Sequence, residues 1–299
     1  MFNNPISVQI KYQLKRQFKI KFHEKLNLTI SFVVAPLLSV LSAYIFRSNM
    51  DLVQNQAYPN YLFFMLISAI FFGLISSVFE IIKDRNTVQR ERLGGVSIFG
   101  YYVSKYYVLS FFGLIQTILY NLIGMIFLSI PWAIVAFNSL VMFLTIVVSI
   151  SFGLFISSFT RSNMIASNLI PIIIIPQILL GGLIPYADMD RAIYMWETNY
   201  SAAPPLARVM PIKYAYESII TGNVAFTLGN NEINDQISQM VDFLQDDQFM
   251  SITKQNILEN LHCSFCSQTW FLDIIIIIGY IIGTFILGYI IFYRRIFNG

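Results

Sequence analysis

Charged residues are scarce in this chain of 299 residues. Asp, Glu, Lys and Arg make up only 12% of it, whereas about a quarter is usual in soluble domains, and 56% of the residues are hydrophobic. One water-soluble core of this length cannot bury so much apolar surface. The composition therefore excludes an ordinary soluble enzyme and predicts a protein that lies in lipid. The net charge of +3 gives no reason to expect nucleic acid as a partner.

The signatures of several functional classes are also missing. No Gly-Lys pair occurs, so the chain has no phosphate-binding loop of the G-x-x-x-x-G-K-[ST] kind. The interiors of the apolar segments lack the ionisable groups that proton- or sodium-driven carriers keep at mid-membrane. There is no H-E-x-x-H metal site. We therefore expect a chain that is not an enzyme and holds no metal or cofactor of its own.

Six apolar segments are long enough to cross a bilayer as helices, which takes about 20 residues each. They lack the alternating pattern of the strands in a membrane barrel. The predicted spans are residues 26–46, 61–82, 102–128, 132–159, 164–184 and 271–293. The predicted fold class is an all-α integral membrane protein with six transmembrane helices.

The distribution of charge predicts how these spans are oriented. The side that holds both termini has fourteen basic and four acidic residues, a net charge of +10. The other side has five basic and twelve acidic residues, a net charge of −7. Short basic loops remain in the cytoplasm. We therefore predict a protein of a bacterial inner or plasma membrane, with both termini in the cytoplasm.

The N-terminal region has the pattern of an amphipathic helix. Ile10, Leu14, Phe18 and Phe22 are spaced four apart, and three lysines recur at the same spacing on a neighbouring face. This spacing predicts a helix that lies in the cytoplasmic membrane interface. The alternative is a basic tail that only sets the topology.

The chain divides into four regions. Residues 1–25 form the interfacial helix, and residues 26–184 hold spans one to five with a charged cytoplasmic loop at 83–100. Residues 185–270 form a long extracytoplasmic segment, for which we expect re-entrant helices. Residues 271–299 hold span six and a cytoplasmic tail.

Three sets of residues are candidates for function. The loop after span two carries the densest charge of the chain and ends in a Gly pair, which indicates a short surface helix that is either solvated or bound to a partner. Within spans two and five, candidates for a solute path are Phe64, Phe71, Phe72, Asn168 and Gln177, although packing against helices or lipid is the alternative.

The third set consists of two cysteines beside His262 on the predicted outer side. Cys263 and Cys266 predict a small disulfide loop, because that compartment is oxidising. A zinc site, a redox pair and free thiols are the alternatives.

Two motifs give the chain a likeness to a known family. They are the block Arg90-Glu91-Arg92-Leu93-Gly94 with Ser104-Lys105 downstream, and the run Pro211-Ile212-Lys213-Tyr214-Ala215-Tyr216-Glu217. With its six spans and long external segment, the chain resembles a type-2 ABC exporter permease, specifically the ABCG-like branch. Eukaryotic members of that branch carry an ATPase domain ahead of the membrane part, and this chain has none. The resemblance therefore implies ATP and Mg on an ABC ATP-binding subunit, or on another part of a longer polypeptide.

The resemblance also implies roles for the candidate residues. In the family, the loop after span two is a coupling helix that rests on the ATP-binding subunit, and two permeases form a dimer with spans two and five facing a central cavity. The coupling residues implied here are Glu80, Lys83, Asp84, Arg85, Arg90, Glu91 and Arg92.

The hypothesis from the sequence is a permease that works by alternating access in an ATP-driven exporter. Its cargo is expected to be an amphipathic, lipid-like or hydrophobic solute, because the second span is rich in aromatic residues. A second copy of the chain and membrane lipid are the other expected partners. The alternatives are a membrane scaffold or sensor that transports nothing, and a passive channel.

Overall fold

The computed structural model describes residues 6–47, 57–182, 206–223 and 269–298. All regular structure in these ranges is helical, so the all-α prediction is confirmed for them. A short 3-10 turn, Ala207–Val209, precedes α8. The helices are α1 Ile6–His23, α2 Lys25–Ile45, α3 Tyr58–Ser77, α4 Glu80–Leu93, α5 Ile98–Leu128, α6 Trp132–Phe159, α7 Asn163–Leu180, α8 at 211–223 and α9 Thr269–Asn298.

Five helical segments in the described part of the chain are long and apolar enough to cross a membrane. They are α3 continued by α4, then α5, α6, α7 and α9, with lengths between 18 and 36 residues. α2 carries only a shorter apolar stretch, Phe32–Ile45. An integral membrane protein is therefore supported, and the sixth span stays a prediction.

The second predicted span, residues 61–82, differs from the structure at its end. α3 ends at Ser77, and a separate charged helix, α4, begins at Glu80. The Gly pair follows directly after α4, where Gly95 adopts a φ of +87°, a left-handed conformation that favours glycine. The loop expected at 83–100 is therefore mostly helix, followed by a glycine turn.

α6 lies at the centre of the bundle and packs against α3, α5 and α9. The approach of α3 to α6 is close, because a Cβ atom added at Gly73 would lie 2.6 Å from the backbone oxygen of Ile146. Small residues allow membrane helices to approach in this way. α5 and α6 are joined by a very short turn in which Ser129 has a φ of 54°.

The apolar face of α1 packs on α5. The ring of Phe18 lies 5.3 Å from that of Phe111, and the ring of Phe22 lies 5.7 Å from that of Phe112. Gln13 and Gln17 are buried in the same region, whereas Lys11, Lys15 and Lys19 are exposed. α1 is thus amphipathic with part of its apolar face against protein, and its place in the membrane interface stays a prediction.

Candidate coupling site on the charged helix

The first turn of α4 is held by buried ion pairs. Glu80 is only 6% exposed and accepts hydrogen bonds from Lys21 Nζ at 2.5 Å and Lys105 Nζ at 2.7 Å. Lys105 Nζ also lies 2.9 Å from Asp84 Oδ2, which accepts a second hydrogen bond from the Tyr101 hydroxyl at 2.9 Å. Two lysines and two carboxylates therefore neutralise each other and bind α4 to both α1 and α5. We call Lys21, Glu80, Asp84 and Lys105 the buried charge cluster.

Burial makes the partners in this cluster depend on one another. A charge that loses its partner inside a protein typically costs about 3–5 kcal/mol, because its desolvation is no longer offset. The first turn of α4 also lacks a side-chain cap of its own. Instead, the Ser157 hydroxyl from α6 accepts from the backbone N–H groups of Ile81 at 3.0 Å and Ile82 at 3.2 Å. α6 is thus the third helix that fixes the start of α4.

The other end of α4 is tied by more accessible contacts. Arg16 Nη1 lies 2.6 Å from Glu91 Oε1, and this hydrogen bond raises the pKa of the Arg16 guanidinium. Arg92 Nη1 donates to the backbone oxygen of Ile296 at 2.8 Å, at the end of α9. α4 therefore contacts α1 at both of its ends.

One face of α4 remains open. Lys83 and Arg90 are exposed there, and Leu93 is 89% exposed at the last turn. Lys83 lies 3.8 Å from Glu24, and Arg90 forms no ion pair within the described residues. This face carries two basic side chains and one exposed leucine, and it is the part of α4 that is accessible to another protein. We call Lys83, Arg90 and Leu93 the open face of α4.

Residues 8–222 match the family described as ABC-2 type transporter. The chain belongs to this family. The resemblance to a type-2 ABC permease is thereby confirmed, and α4 with its whole surroundings, apart from α9, falls inside the matched range. ABC-2 permeases are membrane proteins that are generally not catalytic and that work with an ABC ATP-binding partner. No curated protein matches this chain.

The structure divides the seven predicted coupling residues of the permease into two groups. Lys83 and Arg90 point outwards on the open face. The other five are buried or partly buried and form contacts within the permease itself: Glu80, Asp84, Arg85, Glu91 and Arg92. Contact with an ATP-binding subunit stays a prediction for all seven.

The five residues predicted for a solute path do not share one surface of the single chain. Phe64 and Phe71 are exposed on α3, and Asn168 is exposed on α7. Phe72 and Gln177 are buried in the bundle. The Phe64 ring also lies 5.2 Å from that of Phe46, at the end of α2. Only Phe64, Phe71 and Asn168 among these five residues are therefore exposed on the surface of the single chain.

The external segment is described only in part. α8 packs on the bundle through the buried residues Ile212 and Ile219, and the Tyr58 hydroxyl accepts from Asn138 Nδ2 at 3.2 Å and from Asn223 Nδ2 at 3.3 Å. These bonds join α3, α6 and α8. The re-entrant helices stay a prediction, and Cys263 and Cys266, the predicted disulfide, lie outside the described residues.

Sequence reasoning missed the residues that hold α4 in place. It gave no role to Lys21, Arg16 or Ser157, since nothing in their local spacing points to α4. Lys105 carried a signal, because it lies near the start of the predicted span 102–128, where a lysine that becomes buried requires a partner. Its position in α5 called for a carboxylate nearby, and Glu80 and Asp84 are the carboxylates it binds.

Proposed function

We propose that this protein is the transmembrane permease subunit of an ATP-driven exporter that moves an amphipathic or lipid-like solute by alternating access. Membership of the ABC-2 type transporter family supports a permease. The observation that carries the coupling role is the arrangement of α4, which is bound by buried ion pairs on its inner side and open on its outer side.

In this proposal, the ATP-binding subunit binds the open face of α4. ATP-driven closure of that subunit moves α4, and the buried charge cluster carries the movement into α1 and α5. The cluster is suited to this task, because separating its charges costs more than moving the attached helices together. Differential affinity for the solute in the inward-open and outward-open states then gives transport.

The full assembly that we propose contains two permeases and two ATP-binding subunits, with six spans per permease and all termini in the cytoplasm. In this proposal, exposed apolar residues on α3 and α7 face the second copy or a shared cavity. They include Phe64, Phe71, Ile75, Ile172 and Ile175. The aromatic side chains among them also support a hydrophobic or lipid-like solute as the substrate.

Co-purification of the full permease with its ATP-binding subunit tests the proposal. Arg90→Glu and Leu93→Asp together place two negative charges on the open face, and we expect at least a tenfold loss of the bound subunit. Arg208→Glu is the control, because Arg208 is an exposed arginine on the predicted outer side. A permease preparation that never acquires ATPase activity would instead indicate a scaffold or a channel. Equal retention by the double variant and the control would reject the open face as the contact.

A further inference from the structure

Two arginines from other helices form hydrogen bonds with the carboxyl end of α6. Arg85 Nη2 of α4 and Arg295 Nη1 of α9 each lie 3.2 Å from the same acceptor, the backbone oxygen of Thr160. Both also donate to the backbone oxygen of Ser158, at 3.4 Å and 3.0 Å. Two guanidinium groups are therefore held side by side at one helix end.

A third positive charge adds to this pair. Arg161 follows Thr160 directly, is exposed, and lies close enough to repel both Arg85 and Arg295. We call Arg85, Arg161 and Arg295 the arginine cluster. None of the three forms an ion pair with a carboxylate of the described residues.

The helix end alone does not balance these charges. The carboxyl end of a helix contributes roughly half a negative charge, which leaves about two and a half positive charges at the cluster. Three like charges held together without a counter-charge favour the binding of an anion. Arginine is well suited to phosphate, since its planar group donates two parallel hydrogen bonds.

The apolar surroundings indicate which phosphate is bound. Phe159 is the last residue of α6, and its backbone oxygen accepts from Arg295, yet its side chain leaves the residue 50% exposed. The ring of Phe155, one turn further into the bundle, lies 6.4 Å from it. An amphipathic ligand satisfies both features, with its phosphate at the arginines and its acyl chains along these rings.

We propose that the arginine cluster binds the headgroup of an anionic phospholipid of the cytoplasmic leaflet. Basic pockets between the cytoplasmic ends of membrane helices are suited to such headgroups. Binding of the ATP-binding subunit here is less consistent with the structure. The cluster lies at the end of α6 beside an exposed ring, and Arg85 is turned towards α6, whereas Lys83 and Arg90 lie on the open face of α4.

Lipid retention by the full permease tests this inference without nucleotide or transport, so it can fail independently of the proposed function. The permease is placed in nanodiscs of phosphatidylcholine mixed with phosphatidylglycerol, extracted, and analysed by native mass spectrometry for bound lipid. We expect preferential retention of phosphatidylglycerol. Loss of one arginine lowers this affinity about fivefold, and loss of two lowers it about twenty-five-fold.

The informative variant is Arg161→Gln, because Arg161 forms no hydrogen bond with α6 within the described residues, and we expect its replacement to leave the fold intact. Arg85→Gln with Arg161→Gln tests additivity, with circular dichroism as the check on helical content. Arg90→Gln is the matched control, since it removes the same charge from α4 away from the cluster. We expect this control to retain lipid as the unchanged protein does.

Three results would overturn the inference. The first is equal retention of both lipids by the unchanged protein. The second is displacement of phosphatidylglycerol by inorganic phosphate with no preference between lipids, which indicates a soluble anion as the ligand. The third is unchanged lipid retention in Arg161→Gln with loss of the ATP-binding subunit, which indicates a protein contact.

Discussion

The charged helix α4 and the apolar helix α7 are held in the molecule in opposite ways. α4 is polar, yet its charges bind α1, α5, α6 and α9. α7 is apolar along nearly all of its length, yet few of its residues are buried. In lipid, an apolar side chain needs no protein partner, whereas each charge does. The charges therefore fix the positions of the helices around α4 in this permease.

Removal of Lys105 is expected to break this arrangement most severely. Lys105→Met leaves the buried Glu80 with only one of its two lysines and removes the ion pair of the partly exposed Asp84, and we expect a loss of about 3–5 kcal/mol in the free energy of unfolding. Thermal and denaturant unfolding in detergent measure the loss. Lys15→Met, at an exposed position of α1, is the control and stays within about 0.5 kcal/mol. Equal stability of the two variants would contradict a structural role for the cluster.

Adding a methyl group at the contact between α3 and α6 is expected to cause the next largest loss of stability. Gly73→Ala places a Cβ 2.6 Å from a backbone oxygen, and we expect a loss of about 1–3 kcal/mol, because the two helices must separate. Gly283→Ala in α9 is the matched control, since nothing lies within 4 Å of its added Cβ. We expect that variant to lose no stability. Equal free energies of unfolding for the two variants would contradict the close contact between α3 and α6.

The accessible pair at the far end of α4 contributes less. Glu91→Gln removes the ion pair with Arg16. The side chains of both residues are partly exposed to solvent. We expect a loss below about 1 kcal/mol that becomes smaller as salt is added, because exposed pairs are screened. Unfolding at low and high ionic strength measures the difference. A large loss that salt does not change would mean that this pair is as buried as Glu80 and Lys105.

The sequence predicts the helices of this permease better than the contacts between them. Length and apolar content predict helices that the structure places at α5 and α6, and a Gly pair follows α4, because these are local properties. One of the two lysines that bind Glu80, Lys21, lies in another helix 59 residues away, and no local spacing encodes this contact. The same reason applies to Arg85, whose acceptors on α6 are backbone oxygens that no residue type reveals. The charged loop was therefore recognisable as a candidate site, while the division of its residues into inner and outer groups required the fold.

The smallest effect is expected on the open side of α7, where two neighbouring isoleucines differ in environment. Ile172 is 63% exposed, and Ile174 is 6% exposed. Ile172→Ala leaves no cavity, so we expect the stability of the single chain to change by less than about 0.5 kcal/mol. Ile174→Ala, the matched control, is expected to lose about 2–5 kcal/mol.

The same variant distinguishes lipid from a second copy at this face. If α7 faces lipid, Ile172→Ala changes neither stability nor the fraction of dimer, because the alanine still lies in an apolar solvent. If α7 faces the second permease, the variant lowers the dimer fraction while each chain stays folded. Light scattering or native mass spectrometry measures that fraction beside unfolding. A loss of stability in the single chain would contradict both cases, since Ile172 is 63% exposed among the described residues.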